Sequence, residues 1–289
     1  MSKKTKIAII AEGVKSETHV LKNLNELFFK NCDIVPIIFP TCTNIYALYK
    51  MIQEDEDLDI IELAQELSKK QNIKRVNQFN EFDFMQMKKS DFAEIYLFYD
   101  FDGHNNNLPK GVNPIETMKK MLALFDNETE HGKMYISYPM IKAVRHFRSY
   151  DICKKYDECM YDYLNGRTYK EYIDEIALYH DLKRFSKETW SFQIDKFLHS
   201  ISCLFLTDIE FNKEFYTQNI TPLSIYNQQL KNNITTSHKV MVLSAFPEFL
   251  LDYFRFDKLC ELLGEKIEFP NVRPHCDINI EANRLYSVN

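Results

Sequence analysis

The stretch from 93 to 104 reads A-E-I-Y-L-F-Y-D-F-D-G-H. Residues 95–99 form a short apolar run rich in aromatic and β-branched side chains, which predicts a buried strand. The run stops at Asp100, Asp102 and Gly103, and the loop His104-Asn105-Asn106-Asn107 follows. Two carboxylates one residue apart at the end of a core strand are unfavourable unless a positive group sits beside them. A divalent cation is the simplest candidate.

The chain around this strand alternates. Residues 6–11 (K-I-A-I-I-A) predict a second buried strand, which ends at Glu12-Gly13. Ser16 is placed to cap a helix over 17–30, whose apolar residues Val20, Leu21, Leu24, Leu27 and Phe28 recur at intervals of three and four. Residues 33–39 predict a third strand, with Pro36 marking an edge position or a bulge. Helices are expected over 44–53 and 60–70, and a weaker strand over 75–79. Pro114 suits the first turn of a helix reaching about residue 125. A fourth core strand is expected over 133–137, followed by Tyr138-Pro139 and a turn into 140–147. Such alternation predicts an α/β fold, a mostly parallel sheet with helices on both faces. Sites in such sheets form beyond the carboxyl ends of the strands. If the strands ending at Glu12 and Asp100 are neighbours, Glu12, Asp100 and Asp102 converge.

Beyond about residue 150 alternation gives way to helical periodicity, which divides the chain into 1–150 and a mainly helical 151–289. Trp190, Ile194, Phe197, Leu198, Ile201, Leu204 and Phe205 trace one apolar face of a long helix. Thr221-Pro222 and Pro247 mark helix starts, residues 240–243 read as a lone strand or a helix end, and the apolar run 249–256 is expected to pack on the first half. At 45% hydrophobic and 27% charged residues, the composition is that of a globular protein with a sizeable core. No run approaches the roughly 20 apolar residues of a membrane span, and the apolar run 7–11 is too short for a signal peptide. The seven cysteines contain no C-x-x-C pair and read as reduced thiols of a cytoplasmic protein. The formal charge of −6 argues against a bulk nucleic-acid coat protein but leaves room for a local basic groove.

Glu12, Asp100 and Asp102 suit Mg²⁺ (or Mn²⁺), which takes oxygen ligands and uses few carboxylates alongside waters and phosphate oxygens. Such a cation polarises a phosphodiester and activates water; the plainer alternative makes Asp100 and Asp102 turn residues. Glu17, on the first helical turn, is either a supporting acid or a partner of the helix dipole. Lys15 faces phosphate or simply solvent, and His104 either reaches a leaving-group oxygen or is an exposed loop residue. Lys142, Arg145, His146 and Arg148 form a basic cluster. Lys142, Arg145 and His146 are spaced to share a helix face, where they would hold a nucleic-acid backbone or merely form a solvated charged surface. The 17 Tyr and 22 Phe offer stacking platforms as well as core.

Together, A-E-G-V-K-S-E (Ala11 to Glu17), Y-D-F-D (Tyr99 to Asp102) and S-Y-P-M-I-K-A-V-R-H-F (Ser137 to Phe147) resemble a Toprim domain, closest to the nuclease branch with the OLD-family and RloB-like proteins of bacterial phage defence. The resemblance covers about the first half of the chain. It implies a magnesium-dependent nuclease acting on DNA or RNA, tRNA included. Glu12 would be the acid/base or first metal-binding glutamate, Glu17 a supporting acid, and Asp100 and Asp102 the metal ligands. RloB-like sequences tend to carry a glutamate after the last core strand in an N-P-x-x-E pattern. Lys142 stands there instead, so a metal ligand is lost or a lysine stabilises charge on the phosphate. The resemblance also implies a partner ATPase of ABC or AAA type; no Walker A stretch occurs in this chain, so any ATP use would come from that partner. A catalytically inactive Toprim-fold subunit, using its acidic edge to bind a partner, is the main alternative. A primase-like enzyme is disfavoured by the lack of a zinc-binding cysteine motif. Aromatic surface in the second half could serve a dimer or a hetero-complex.

Overall fold

The computed structural model of the protein describes residues 5–30, 32, 34–54, 59–70, 84–101, 103, 111–146, 159–177, 180–205 and 210–270. Strand β1 (Thr5–Ala11) leads into α1 (Ser16–Leu24), which continues as a π-helical turn over Asn25–Phe29. Next come β2 (Ile34–Pro40), α2 (Ile45–Glu54) and α3 (Ile60–Lys70). They are followed by β3 (Glu94–Asp100), α4 (Pro114–Leu124), the two-residue β4 (Asp126–Asn127) and β5 (Gly132–Ser137). A 3-10 turn, Ile141–Arg145, follows β5. The second half contributes β6 (Met160–Asp162), α5 (Gly166–Ile176), α6 (Lys187–Phe205), α7 (Lys213–Asn219) and α8 (Pro222–Gln229). The short α9 (Thr235–Ser237), β7 (Lys239–Met241) and α10 (Ala245–Leu263) complete it.

Among the described residues, five strands form one sheet in the order β2-β1-β3-β5-β4. β2, β1, β3 and β5 run parallel and only β4 is antiparallel. Successive side chains of a strand point to opposite faces, yet every residue from Ile7 to Ala11 and from Ile95 to Tyr99 is buried. Both faces of the central strands are therefore covered, which is why these segments read as unbroken apolar runs. Pro36 lies in β2, at the edge of the sheet, where a missing N–H leaves no central ladder bond unmade.

The long helix α6 buries Trp190, Ile194, Phe197, Leu198, Ile201, Leu204 and Phe205 as its spacing predicts, and α10 packs on the sheet. The Phe246 ring stacks on Phe98 at 5.1 Å, and Phe249 meets Tyr96, Phe98 and Tyr135 edge-on. Apolar residues of both halves of the chain belong to one core. Residues 239–241 form a strand, paired antiparallel with β6. Leu243 then bridges to Tyr138 through two backbone hydrogen bonds. The buried Gln229 amide completes the hydrogen bonding of β7, donating to Met241 O and accepting from Met241 N–H.

Three expectations are corrected. Helix α1 starts at Ser16 with Lys15 in the cap position and no side-chain cap bond, so Ser16 is not a cap. Residues 141–145 form a 3-10 turn, not an α-helical face, a geometry common in helical pieces this short. Cys159 is disulfide-bonded, so not all seven cysteines are reduced, whereas Cys32, Cys42, Cys203 and Cys260 are free. The expected strand over 75–79 lies outside the described residues.

Glu248 of α10 is buried, and its Oε1 has no hydrogen-bond partner among the described residues. Burial, then the charge of Asp252, pushes its carboxyl from an ordinary 4.5 up to about 8, with Lys133 opposing. The folded state thus holds a proton that the unfolded chain has already released. The stabilisation this gives is fully present below about pH 4.5 and is lost as pH rises through about 8. Glu248→Gln removes the ionisation. Its melting temperature is expected to exceed that of the wild type at pH 9, by a few kcal/mol equivalent at most, with the gap closing by pH 5. Thermal unfolding followed by circular dichroism at both pH values checks this, and a pH-independent gap would contradict it.

Candidate functional site

The order β2-β1-β3 places successive crossovers on opposite sides of β1, so the sheet has its topological switch point between β1 and β3. The crevice outside the carboxyl ends at such a point is where open α/β sheets bind ligands. Ala11 of β1 is in register with Phe98 of β3, so Glu12 and Asp100 emerge there side by side. The Glu12 backbone is clamped on two sides, its N–H donating to Phe98 O (3.1 Å) and its carbonyl accepting from Cys42 N–H (2.7 Å). Its carboxylate reaches across the two strands, and Oε2 accepts the Asp100 N–H at 3.1 Å. The Asp100 carboxylate in turn accepts the Ile141 N–H at 2.7 Å, at the start of the 3-10 turn. Both side chains are half-buried and remain reachable from solvent.

Glu17 is brought to the same edge by the first turn of α1, and its carboxyl packs directly over Gly13. A methyl group on Gly13 would lie 2.6 Å from Glu17 Cδ, closer than real contacts allow. A side chain at position 13 would therefore push the Glu17 carboxyl aside. Burial raises the Glu17 pKa, against hydrogen bonds from the backbone N–H groups of Glu17 and Gly13 and the charge of Lys170. Next to these acids, burial and then the charges of Glu17 and Glu12 push the Cys42 thiol up. Burial likewise raises the Tyr99 hydroxyl, which bonds Thr41 Oγ1 at 3.2 Å.

The basic turn lies against α5. Lys142 and Arg145 are three residues apart, positions that eclipse each other in a 3-10 helix, and both grip Asp174. Lys142 Nζ lies 2.7 Å from Asp174 Oδ2 and Arg145 Nη2 lies 2.8 Å from Oδ1. Lys142 also donates to Lys170 O at 3.2 Å. Arg145 Nη2 lies 3.4 Å from His180 Nδ1, and its Nε is buried without a partner among the described residues. These two cations hold the Asp174 carboxyl below its ordinary range, the Lys142 hydrogen bond contributing most. His146 does not share their exposed face. It is buried, stacked on Tyr169, with Nδ1 3.1 Å from the Tyr169 hydroxyl. Tyr169 is raised well above its ordinary pKa by burial first, with Asp100 among the charges acting on it.

Of the residues singled out from sequence, Glu12, Glu17 and Asp100 meet at this edge, and Lys142, Arg145 and His146 line the turn that follows β5. Lys15 is exposed at the start of α1. Asp102, His104 and Arg148 lie outside the described residues. The α5 residues Tyr169, Lys170 and Asp174 were not anticipated. The four-residue spacing of Tyr169, Ile173 and Ala177 marks a buried stripe, but nothing local says which surface that stripe covers. Glu12 and Asp100 offer the hard oxygens that magnesium takes, and an ion that keeps several waters needs only one or two protein carboxylates. Among the described residues, no group of three His, Cys, Asp or Glu side chains forms a ready-made cage. No protein-family model, no curated protein and no solved structure matches the chain.

Gly13→Ala is expected to lose about 1–3 kcal/mol of stability through overpacking against the Glu17 carboxyl. The loss should shrink markedly when Glu17 is replaced by serine in the same chain. Denaturant melts of the two single variants and the double variant measure this coupling. Additive losses would show that the two residues do not press on one another.

Proposed function

We propose that the chain is a magnesium- or manganese-dependent endonuclease with a Toprim-like catalytic half, akin to the OLD-family and RloB-like defence nucleases. One observation carries the reading: Glu12 and Asp100 lie side by side at the switch point of a parallel sheet, joined by the Glu12 Oε2 to Asp100 N–H bond. Glu12 and Asp100, with Asp102 beside them in sequence, would hold the cation, which when bound supplies a Lewis acid for a phosphodiester and lowers the pKa of water. Glu12 accepts the proton of the attacking water at its carboxylate. Glu17 holds the Gly13 turn that positions Glu12. Lys142 and Arg145 neutralise the phosphate, and Lys15 and Arg148 extend the contact to the nucleic-acid backbone, whereas the buried His146 does not reach it. His104, next to the D-x-D pair, protonates the leaving oxygen. DNA and RNA, tRNA included, share this phosphodiester chemistry. Any ATP-driven step falls to a partner ATPase.

One observation favours a second reading. Lys142 and Arg145 are both spent on Asp174, as they would be in an inactive Toprim-fold subunit that uses the same edge to bind a partner. Substitution of Asp174 separates the two. Asp174→Ala frees both cations, and an active site predicts about threefold or greater gain in affinity for a single-stranded oligonucleotide, diminishing with salt. Cleavage of plasmid, single-stranded DNA and total tRNA with Mg²⁺ or Mn²⁺ should fall at least about a hundredfold in Glu12→Gln and Asp100→Asn. Cleavage that survives both substitutions contradicts the nuclease assignment. Absence of cleavage by wild type and Asp174→Ala alike favours the binding subunit.

A further inference from the structure

A small polar cavity lies where α6, the 3-10 turn after β5 and the start of α10 meet. It measures about 10 Å³, and its lining includes Gln193, Lys196 and Ser200 of α6, Ala143 of the turn, and Leu243 and Ser244 just ahead of α10. A space of that size holds one small species. Gln193, Lys196 and Ser200 are three and then four residues apart, so they share one face of α6. Gln193 is 3% exposed and Ser200 is 1% exposed. Among the described residues, neither Gln193 Nε2 nor Ser200 Oγ has a hydrogen-bond partner. Buried polar groups are nearly always paired, and one left unpaired bears the full cost of its lost hydration. Two such groups lining one cavity point to an occupant that bonds to both.

The chemistry of the lining narrows what that occupant is. The Gln193 amide nitrogen and the Lys196 ammonium can only donate, and the Ser200 hydroxyl can donate as well. An ammonium has three N–H groups, so Lys196 can keep contacts of its own and still direct one into the cavity. Burial draws the Lys196 pKa from an ordinary 10.5 down to about 7, and a negative charge beside the ammonium would offset that penalty. A metal cation would be repelled by these groups. A water molecule would accept two of the three bonds and would then need acceptors for its own two hydrogens. A spherical anion accepts all three and needs no acceptor.

We propose that this cavity binds a single chloride ion, held by the Gln193 amide, the Lys196 ammonium and the Ser200 hydroxyl. The ion would join α6 to the turn that carries Lys142 and Arg145 and to the start of α10. The site is independent of the nuclease assignment, because all three groups that hold the ion lie on α6. Chlorine NMR of the full chain tests it. The protein is exchanged into sodium gluconate and titrated with sodium chloride at constant ionic strength, and bound chloride is read as excess broadening of the chloride line. The wild type should show saturable broadening that bromide displaces and sulfate, too large for the cavity, does not. Ser200→Ala and Lys196→Met should each weaken the binding at least about fivefold, as expected for loss of a buried hydrogen bond to a charged group. Ser200→Ala removes only one oxygen and keeps the test valid if Lys196→Met fails to fold. Lys231→Gln, at an exposed lysine outside the lining, should leave the broadening unchanged. No saturable broadening in the wild type, broadening that sulfate displaces as well as bromide does, or broadening undiminished in Ser200→Ala overturns the proposal.

Discussion

A carboxylate at the end of a buried strand loses much of its hydration, and this fold replaces that water with backbone N–H groups. Glu12 accepts from Asp100, Asp100 accepts from Ile141, and Glu17 accepts from Gly13 and from its own N–H. These bonds tie β1, β3, the start of α1 and the turn after β5 to one another. The acids are thus held in place by main-chain groups. Side chains fixed in this way would lose little freedom on binding the divalent cation proposed for this edge.

The cations of the same region follow the opposite arrangement. Lys142 and Arg145 extend from the turn after β5 and meet a carboxylate of the chain itself on α5. The Asp174 side chain is more than half exposed, so the pair is screened by water and holds α5 only weakly. It does, however, set the state of the basic turn. While Asp174 is in place, two of the charges that would meet a phosphate are neutralised. The acidic pair and the basic turn are joined through the Asp100 carboxylate and Ile141, so movement of the turn is felt by the Asp100 side chain.

Much of this was legible in the chain itself. Continuous apolar runs marked β1 and β3 because strands covered on both faces need no alternation, and Pro36 marked an edge because it lacks an N–H. The bounds of α3 and the buried face of α6 follow from helical periodicity alone. The meeting of Glu12 with Asp100 needed only the assumption that their strands are neighbours, which the sheet order shows. What escaped depends on contacts between distant segments. The Asp174 clamp joins residues about thirty apart, and β7 is completed by the Gln229 side chain. His146 was misjudged as a surface residue because a histidine within a basic run carries no mark of the tyrosine that buries it.

Direct titration with Mn²⁺ tests whether the Glu12 and Asp100 edge binds a divalent cation, without requiring a substrate. Electron paramagnetic resonance of free Mn²⁺ in the presence of the full chain reports bound ion by loss of signal. A saturable site in the wild type, weakened at least about tenfold in both Glu12→Gln and Asp100→Asn while each variant keeps its wild-type circular dichroism spectrum, is the result this account predicts. Equal Mn²⁺ binding by wild type and both variants would place any cation elsewhere and contradict it.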